Sequence, residues 1–355
     1  MIFNGKYIIE AVMKIFTHLI FYFTTFFLLT GTLAGCGTGF SPAEETSTGE
    51  KATSASITLA SWNTQTFFDA RTEGTEYDDF KKNGNWSRDK YLVRLGRLCE
   101  VMTSLNADVF VLQEIENAAV VQDIANQLAG KSLSKNKRWD YASFAKEEGA
   151  SIGCAVFSRH KISDITTHSM DIRCQQTDQP SCRPVMQFTV EAGEHELVVL
   201  VNHWKSKLGT DESRIWRQWQ ESLACARIGK VPALVLCGDF NQDAKEFVTS
   251  FDGNTNGNVI FRGIDITTGA LSTVKVHSPW FTQNGSFSTK NGSYYYQGEW
   301  ERIDHIFSAG NARLAAFSPR AESPWADTDG RPVSYRIYNG EGYSDHLPVM
   351  CTVSF

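Results

Sequence analysis

The stretch Cys237-Gly-Asp-Phe-Asn-Gln-Asp243, CGDFNQD, follows an apolar run, Val231-Pro-Ala-Leu-Val-Leu236. A short apolar run bounded by Gly reads as a buried strand. Residues just past the end of a buried strand sit on the rim of a sheet, where binding and catalytic groups are commonly placed. Asp239 and Asn241 are therefore either a turn or chemistry, and the rest of the chain decides between them.

Other apolar runs end in the same way. Strand-like segments start at Ile57–Trp62 and recur at Asp108–Leu112, Gly153–Phe157, Glu196–Val201, Ala233–Leu236, Ile303–Phe307 and Val349–Phe355. Helical spacing lies between them. Ser87 is placed to cap RDKYLVRLGRLCEVMTSL, with Tyr91, Leu92, Leu95, Leu98, Val101 and Met102 as its apolar stripe. Val120–Leu128 reads as a second helix. Asp211 or Ser213 opens a third, with Ile215, Trp216, Trp219, Leu223 and Ala226 as its stripe. Strands mixed with helices, some adjacent without a crossover, predict an α/β fold with mixed sheets. Gly253–Asn291, rich in Gly, Asn, Ser and Thr, reads as a long surface excursion near the site.

The chain has 355 residues, 42% hydrophobic and 21% charged, with a net charge of −6. A bulk polyanion binder would be basic, so any contact with nucleic acid has to be local or metal-assisted. From Met13, MKIFTHLIFYFTTFFLLTGTLAGC carries a lysine, an apolar stretch and then small residues before Cys36. The apolar part is short for a comfortable membrane span and reads as a targeting segment. Leu33-Ala34-Gly35-Cys36 resembles the lipobox of bacterial lipoproteins, which implies cleavage before Cys36 and lipid on its sulfur. Residues 1–35 are then a signal peptide. Residues 36–56 are the lipidated Cys and a polar tether, and 57–355 are the functional domain. The location expected is the cell envelope. Position 37 is Gly, not Asp, which leans toward the outer membrane or cell surface. Cys174 and Cys182 flank the polar loop CQQTDQPSC and are expected to form a disulfide in an oxidising compartment. Cys99, Cys154, Cys225, Cys237 and Cys351 read as buried thiols. No CxxC occurs, which argues against a structural zinc cluster.

Polar residues stand at strand ends throughout: Trp62-Asn63, Gln113-Glu114, Asn202-His203, Asp239 with Asn241, Asp304 in ERIDHIF, and Asp345-His346 before the last strand. Each alone is a turn, a cap or a solvated strand end. In order, WN, LQE, NHWKS, GDFN, RIDHIF and SDHLPV resemble the endonuclease/exonuclease/phosphatase superfamily over about Ile57–Phe355. NTQTFFD, LNADVFVLQEIEN and NHWKSK are similar to its secreted bacterial nuclease branch. The resemblance implies a four-layer α/β sandwich, two packed mixed β-sheets flanked by helices, as in deoxyribonuclease I.

Phosphate-ester hydrolysis needs charge neutralised at phosphate, an activated water, in-line geometry and a stabilised leaving oxygen. Hard oxygen ligands on separate strands suit Mg²⁺, with Mn²⁺ and Ca²⁺ as alternatives. Glu114 is the foremost metal ligand, with Asn63 and Asp345 beside it. His346 contacts phosphate, and the resemblance makes Asp304 its carboxylate partner. Asp239 is expected to orient or deprotonate the attacking water, and Asn241 to help hold the water and a phosphate oxygen. The bacterial branch implies a second histidine, His203, to protonate the leaving oxygen. Arg183 and Lys205 are candidate phosphate contacts. Other branches place a Tyr just before the strand GCAVFS; here that stretch reads Ala150-Ser151-Ile152. Tyr294–Tyr296, Trp300 and Trp280-Phe281 read mainly as core, or else as base-stacking groups. The expected activity is a metal-dependent, monomeric phosphodiesterase, foremost a nuclease acting on DNA or RNA with little sequence preference. A phospholipid or sphingomyelin phosphodiesterase, a phosphomonoesterase and a noncatalytic binding module are the alternatives.

Overall fold

In the computed structural model, residues 54–82, 86–131, 134–169, 183–207, 211–229, 231–251, 257–264 and 270–355 are described. Cys36, Cys174 and Cys182 lie outside these. Two mixed sheets carry the fold. The first has six strands: β1 Ser56–Phe67, β2 Val109–Ile115, β3 Tyr141–Ala145, β4 Gly153–Ser158, β15 Arg313–Pro319 and β16 Val349–Ser354, in the order β15-β16-β1-β2-β4-β3. The second has eight: β5 Lys161–His168, β6 Val185–Ala192, β7 His195–His203, β8 Ala233–Asp239, β9 Val248–Ser250, β10 Asn258–Ile264, β11 Leu271–His277 and β14 Asp304–Gly310. Their order is β5-β6-β7-β8-β14-β11-β10-β9. A small hairpin, β12 Tyr294–Tyr296 and β13 Glu299–Glu301, stands apart. The helices are α1 Asp78–Lys82, α2 Arg88–Leu105, α3 Ala118–Ala129 and α4 Asp211–Ile228.

Strand periodicity explains the layering. In β1, β2 and β4, Leu59, Val109, Val111 and Val156 point between the sheets and pack with Val199, Val201, Leu234, Leu236 and Phe307. Their neighbours Ala60, Phe110, Leu112, Ala155 and Phe157 point the other way, onto Leu95, Leu98 and Met102 of α2 and Ile124 of α3. On the second sheet Leu223, Ala224 and Ile228 of α4 join the inter-sheet core cluster. The result is the α/β sandwich the sequence implied.

Ser87 caps α2 as expected, its Oγ accepting from Lys90 N at 3.3 Å. Asn117 caps α3, accepting from Val120 N at 3.0 Å. Two stripe residues, Leu92 and Ile215, are exposed instead, because each helix buries only the face that meets a sheet. The Gly253–Asn291 excursion is partly sheet: β10 and β11 pair in unbroken antiparallel register and extend the second sheet to its β9 edge. Val259, Phe261 and Val276 supply buried anchors there, dispersed among the Gly, Asn and Thr that made the segment read as loop.

Candidate active site

The sheets bring their polar strand ends to one end of the sandwich. β1 and β2 run parallel, with Asn63 opposite Gln113. β7 and β8 also run parallel, pairing His203 with Asp239, and β14 starts antiparallel with Asp304 opposite Asp239. Three chemical groups thus occupy adjacent rungs of one sheet, facing two from the other.

Two β-bulges aim the first-sheet groups. The β1 register shifts between Asn63 and Phe67, with Gln65 and Thr66 at φ 54° and 49°. Glu114 itself sits in a bulge of β2 at φ 65°, a left-handed conformation that a carboxylate residue adopts only under local constraint. Thr66 N donates to Glu114 Oε2 at 2.5 Å. The Asn63 amide donates to Glu114 Oε1 at 3.1 Å and to Asp239 Oδ2 at 2.9 Å. Asn63 Oδ1 accepts from Gln65 N at 2.9 Å. Asn63 therefore stands beside Glu114 as expected, but it presents N–H rather than a metal-binding oxygen. Arg94, buried on the apolar face of α2, donates to the carbonyls of Thr64, Gln65 and Thr66 and stacks on Tyr335. Nothing but an arginine standing between Tyr91 and Leu95 in an apolar stripe signalled this support.

Asp239 is completed by Asn241, at φ 47°, whose backbone N donates to Oδ1 at 2.8 Å and whose amide donates to Oδ2 at 3.0 Å. His346 enters from the loop before β16. Its Nδ1–H donates to Asp304 Oδ2 at 2.8 Å. Trp62 Nε1 donates to the His346 carbonyl at 2.9 Å, and the His346 backbone N donates to Ser344 Oγ at 3.1 Å. Asp304 thus orients the ring while Trp62 and Ser344 hold its backbone. His203 Nε2 lies 3.6 Å from both Glu114 Oε1 and Asp239 Oδ2.

Burial and charge divide these groups. Burial opposes the charged form of His346, but Asp304, its hydrogen bond, Asp345 and Asp239 prevail and hold the imidazole well above its ordinary range. Burial and the positive charges of Arg183 and His346 hold His203 well below it. Asp239 is pushed up to about 7 by burial, against the pull of His346 and with a push from Asp304. Asp345 is likewise raised by burial, with Glu114 adding to it. A charged imidazole, a neutral one and a carboxylate poised near neutrality share one chamber, the separation acid–base sites use.

Arg183 belongs to this chamber. Its Nη1 donates to the Trp204 carbonyl at 2.9 Å, and it hydrogen-bonds Tyr77. Tyr77 was not singled out from sequence. It lines a hollow of about 270 Å³ with Arg183 and Ala150-Ser151-Ile152, the stretch where a Tyr was missing. The phenol arrives from a different loop, which spacing does not reveal. Lys205 turns away: its Nζ lies over the Trp216 ring at 5.3 Å. The aromatics divide too. Trp280 is core, whereas Tyr294 packs on the His346 ring at 4.8 Å, and half-exposed Tyr296 stacks on Tyr294 at 6.1 Å and 21°.

The donor set suits a hard cation. Burial raises the Asp345 carboxyl and the nearby Glu114 adds to the rise, a repulsion that a bound cation would relieve. Among the described residues no three His, Cys, Asp or Glu side chains form a ready metal cage. Mg²⁺ asks for less, since it is held by one or two carboxylates and keeps its waters.

Two packed mixed sheets with carboxylates, amides and imidazoles gathered at one end are the architecture of hydrolytic phosphoesterases. Residues 60–346 match the Endonuclease/Exonuclease/phosphatase family, and the chain belongs to that family. Nocturnin of Xenopus laevis is 25% identical over 169 residues, 46% of this chain and 42% of nocturnin, so the chain matches less than half of that relative. The fold resembles TDP2 of Caenorhabditis elegans, with a TM-score of 0.50 and 14% identity over 84% of this chain and 97% of the other. It also resembles D. rerio TDP2 complexed with single strand DNA product, with a TM-score of 0.50 and 16% identity over 84% and 99% of the two chains.

Proposed function

We propose that this protein is a metal-dependent phosphodiesterase that cleaves nucleic acid with little sequence preference. The observation that carries it is one buried cluster: the His346–Asp304 pair, Asp239 opposite Asp304 on the neighbouring strand, and His203 at 3.6 Å from both Asp239 and Glu114. Glu114 and Asp345 would hold Mg²⁺, which neutralises phosphate charge and polarises the ester when bound. Asp239, poised near neutrality, takes the proton of the attacking water, and Asn241 fixes the carboxylate that does so. As the water oxygen bonds to phosphorus, the ester bond opposite breaks, and the leaving oxygen departs as an alcohol that takes its proton from solvent water. Charged His346 donates to a phosphate oxygen, with Asp304 fixing its tautomer. His203 serves as a neutral hydrogen-bonding ring, because burial and Arg183 deny it the surplus proton a leaving-group acid needs.

The row of rings His346, Tyr294 and Tyr296 favours a substrate with bases over a lipid, since stacked tyrosines accept any base face. The D. rerio TDP2 structure, described with a single strand DNA product, supports the same class of substrate. The lipobox-like Leu33–Cys36 and the polar segment after it support a secreted bacterial enzyme of the cell envelope, tethered by lipid, with residues 57–355 as its catalytic domain.

The test is incubation of wild type and Glu114→Gln with DNA, RNA, sphingomyelin and nitrophenyl phosphate, with Mg²⁺ or with chelator. Cleavage of nucleic acid by wild type with Mg²⁺, reduced about 10²-fold or more in the variant at unchanged circular dichroism, is expected. Turnover of sphingomyelin or the monoester without nucleic acid would overturn the reading. So would unchanged Mg²⁺ dependence in the variant.

A further inference from the structure

The chain is acidic overall, so a nuclease built on it needs a local positive track. A cleft of about 580 Å³ runs between α4 and the β9–β11 end of the second sheet. Four cations line it, Lys207, Arg214, Arg217 and Arg262, against two carboxylates, Glu221 and Glu246. Its floor includes Phe247 and Ile260.

The cleft is coupled to the chamber already described. Arg217 donates to the carbonyls of Lys205 and Ser206 at 3.3 and 3.5 Å, in the loop that follows His203. Gln220 on the same helix accepts from Lys205 N at 2.7 Å and donates to the His203 carbonyl at 3.4 Å. Gln242, next to Asn241, lines the cleft. Lys207 Nζ binds Glu246 and Glu301 at 2.9 Å each. Glu301 is the residue opposite Tyr294 in the β12–β13 hairpin. The stacked tyrosines therefore meet the mouth of the cleft through Glu301 and Lys207.

Lys207 is already paired with Glu246 and Glu301, so the excess positive charge of the lining lies in Arg214, Arg217 and Arg262 against Glu221. Burial lowers the proton affinity of Arg217; Glu246 opposes this and the neighbouring charge of Arg214 adds to it. Glu221 is pushed up to about 7 by burial, so near neutral pH it offsets less than a full positive charge. Guanidinium groups gathered beside a carboxylate that resists ionisation are an arrangement an anion relieves. Arg214 and Arg262 are exposed at the rim, free of the packing role that Arg217 has.

We infer that this cleft is a second binding site, which holds the phosphodiester backbone of a nucleic-acid strand several nucleotides beyond the scissile bond. The inference rests on the nuclease reading above. It adds a property that the chamber alone does not have: preference for long strands over short ones. The strand passes from His346 over Tyr294 and Tyr296, crosses Lys207, and lies between Arg214 and Arg262. Sequence preference is not expected there, because contacts made to phosphate carry no base information.

The test is the double charge reversal Arg214→Glu with Arg262→Glu, neither residue touching the catalytic groups. Cleavage of a 20-nucleotide single strand and of a dinucleotide is compared at several salt concentrations. Binding of a fluorescent 20-mer is measured in parallel on a Glu114→Gln background. We expect kcat/KM for the 20-mer to fall about tenfold at low salt, and the slope of log affinity against log salt to shallow by about one for each phosphate no longer held. Dinucleotide turnover should stay within about twofold, because a dinucleotide ends before the cleft. Equal losses on both substrates, or an unchanged 20-mer, would overturn the cleft. So would binding of anionic phospholipid vesicles, but not of the 20-mer, that depends on the two arginines. A protein that binds the 20-mer through the cleft and cleaves nothing would keep the cleft and overturn the reaction.

Discussion

At the scale of single residues, the site depends on partners more than on the groups themselves. His346 keeps its charge because Asp304 accepts from Nδ1 and outweighs burial. Asp304→Asn removes the negative charge, so the imidazole should titrate at lower pH than in wild type. Histidine NMR reads this directly, and activity should fall about 10²-fold. A variant within twofold of wild type, with an unmoved titration, would make Asp304 structural. Arg94 tests support at one remove. It donates to three successive carbonyls of the β1 bulge and touches no substrate. Arg94→Met should leave those buried carbonyls unpaired, costing about 3 kcal/mol or more. The bulge aims Asn63 and, through Thr66 N, Glu114, so kcat should fall more than KM rises. Unchanged melting and kinetics would show that the bulge holds itself.

Among the elements, the strands do the positioning and their irregularities do the aiming. A glycine such as Gly238 at a strand tip reads as room for a ligand to approach. The structure gives another reason: at φ +132° its position would put a Cβ 1.8 Å from the carbonyl oxygen of Asn202 on β7. The close approach is strand to strand and sets the β7–β8 spacing that pairs His203 with Asp239. Gly238→Ala should cost more than about 4 kcal/mol, seen as insoluble or early-melting protein. A melting temperature within two degrees or so of wild type would refute this reading. On α4, Glu221 accepts from Arg262 N at 2.8 Å, and burial raises its carboxyl to about 7. A carboxyl raised above its unfolded value penalises the fold as it is made to ionise. The penalty is absent below about pH 4.5, grows through the interval and is complete above about pH 7. Glu221→Gln should therefore leave stability unchanged at about pH 4 and raise it at about pH 8. After discounting for its partial exposure the gain is about 1 kcal/mol, or about 2 °C. Equal melting shifts at both pH values would assign the effect to packing.

For the whole molecule, net charge and local charge part company: a chain of −6 carries a cleft lined by four cations against two carboxylates. The five described cysteines are all free and buried, with burial raising each thiol. With the proposed Cys174–Cys182 disulfide formed and Cys36 lipidated, native protein should not react with a thiol reagent until it unfolds. About two equivalents titrating in the native state would refute the disulfide, which would otherwise contribute roughly 3 kcal/mol. Labelled palmitate should enter wild type and not Cys36→Ala, and only wild type should sediment with membranes.

The order of polar strand ends, Asn63, Glu114, His203, Asp239, Asp304, Asp345 and His346, is a property of the chain, and the family resemblance it carries implied the sandwich that the structure shows. The strands concerned are short and strongly apolar, and their ends are abrupt, so local pattern and tertiary role coincide. The cap at Ser87 was legible for the same reason: it is satisfied within its own turn. Where the two differ, sequence is silent. β10 and β11 are held by pairing and a few buried anchors, and their composition is that of a loop. Tyr77 reaches Arg183 from a segment far away along the chain, and Arg94 reads as an oddity in a stripe until the bulge above it is seen. The sense of the Asn63 amide depends on Gln65 N, and the differing charge states of His203 and His346 depend on which carboxylates and cations the fold brings near them. Burial, bulges and long-range charge are sums over neighbours that only the packed chain assembles, so identity of the groups lay in the sequence and their protonation, aim and reach lay in the fold.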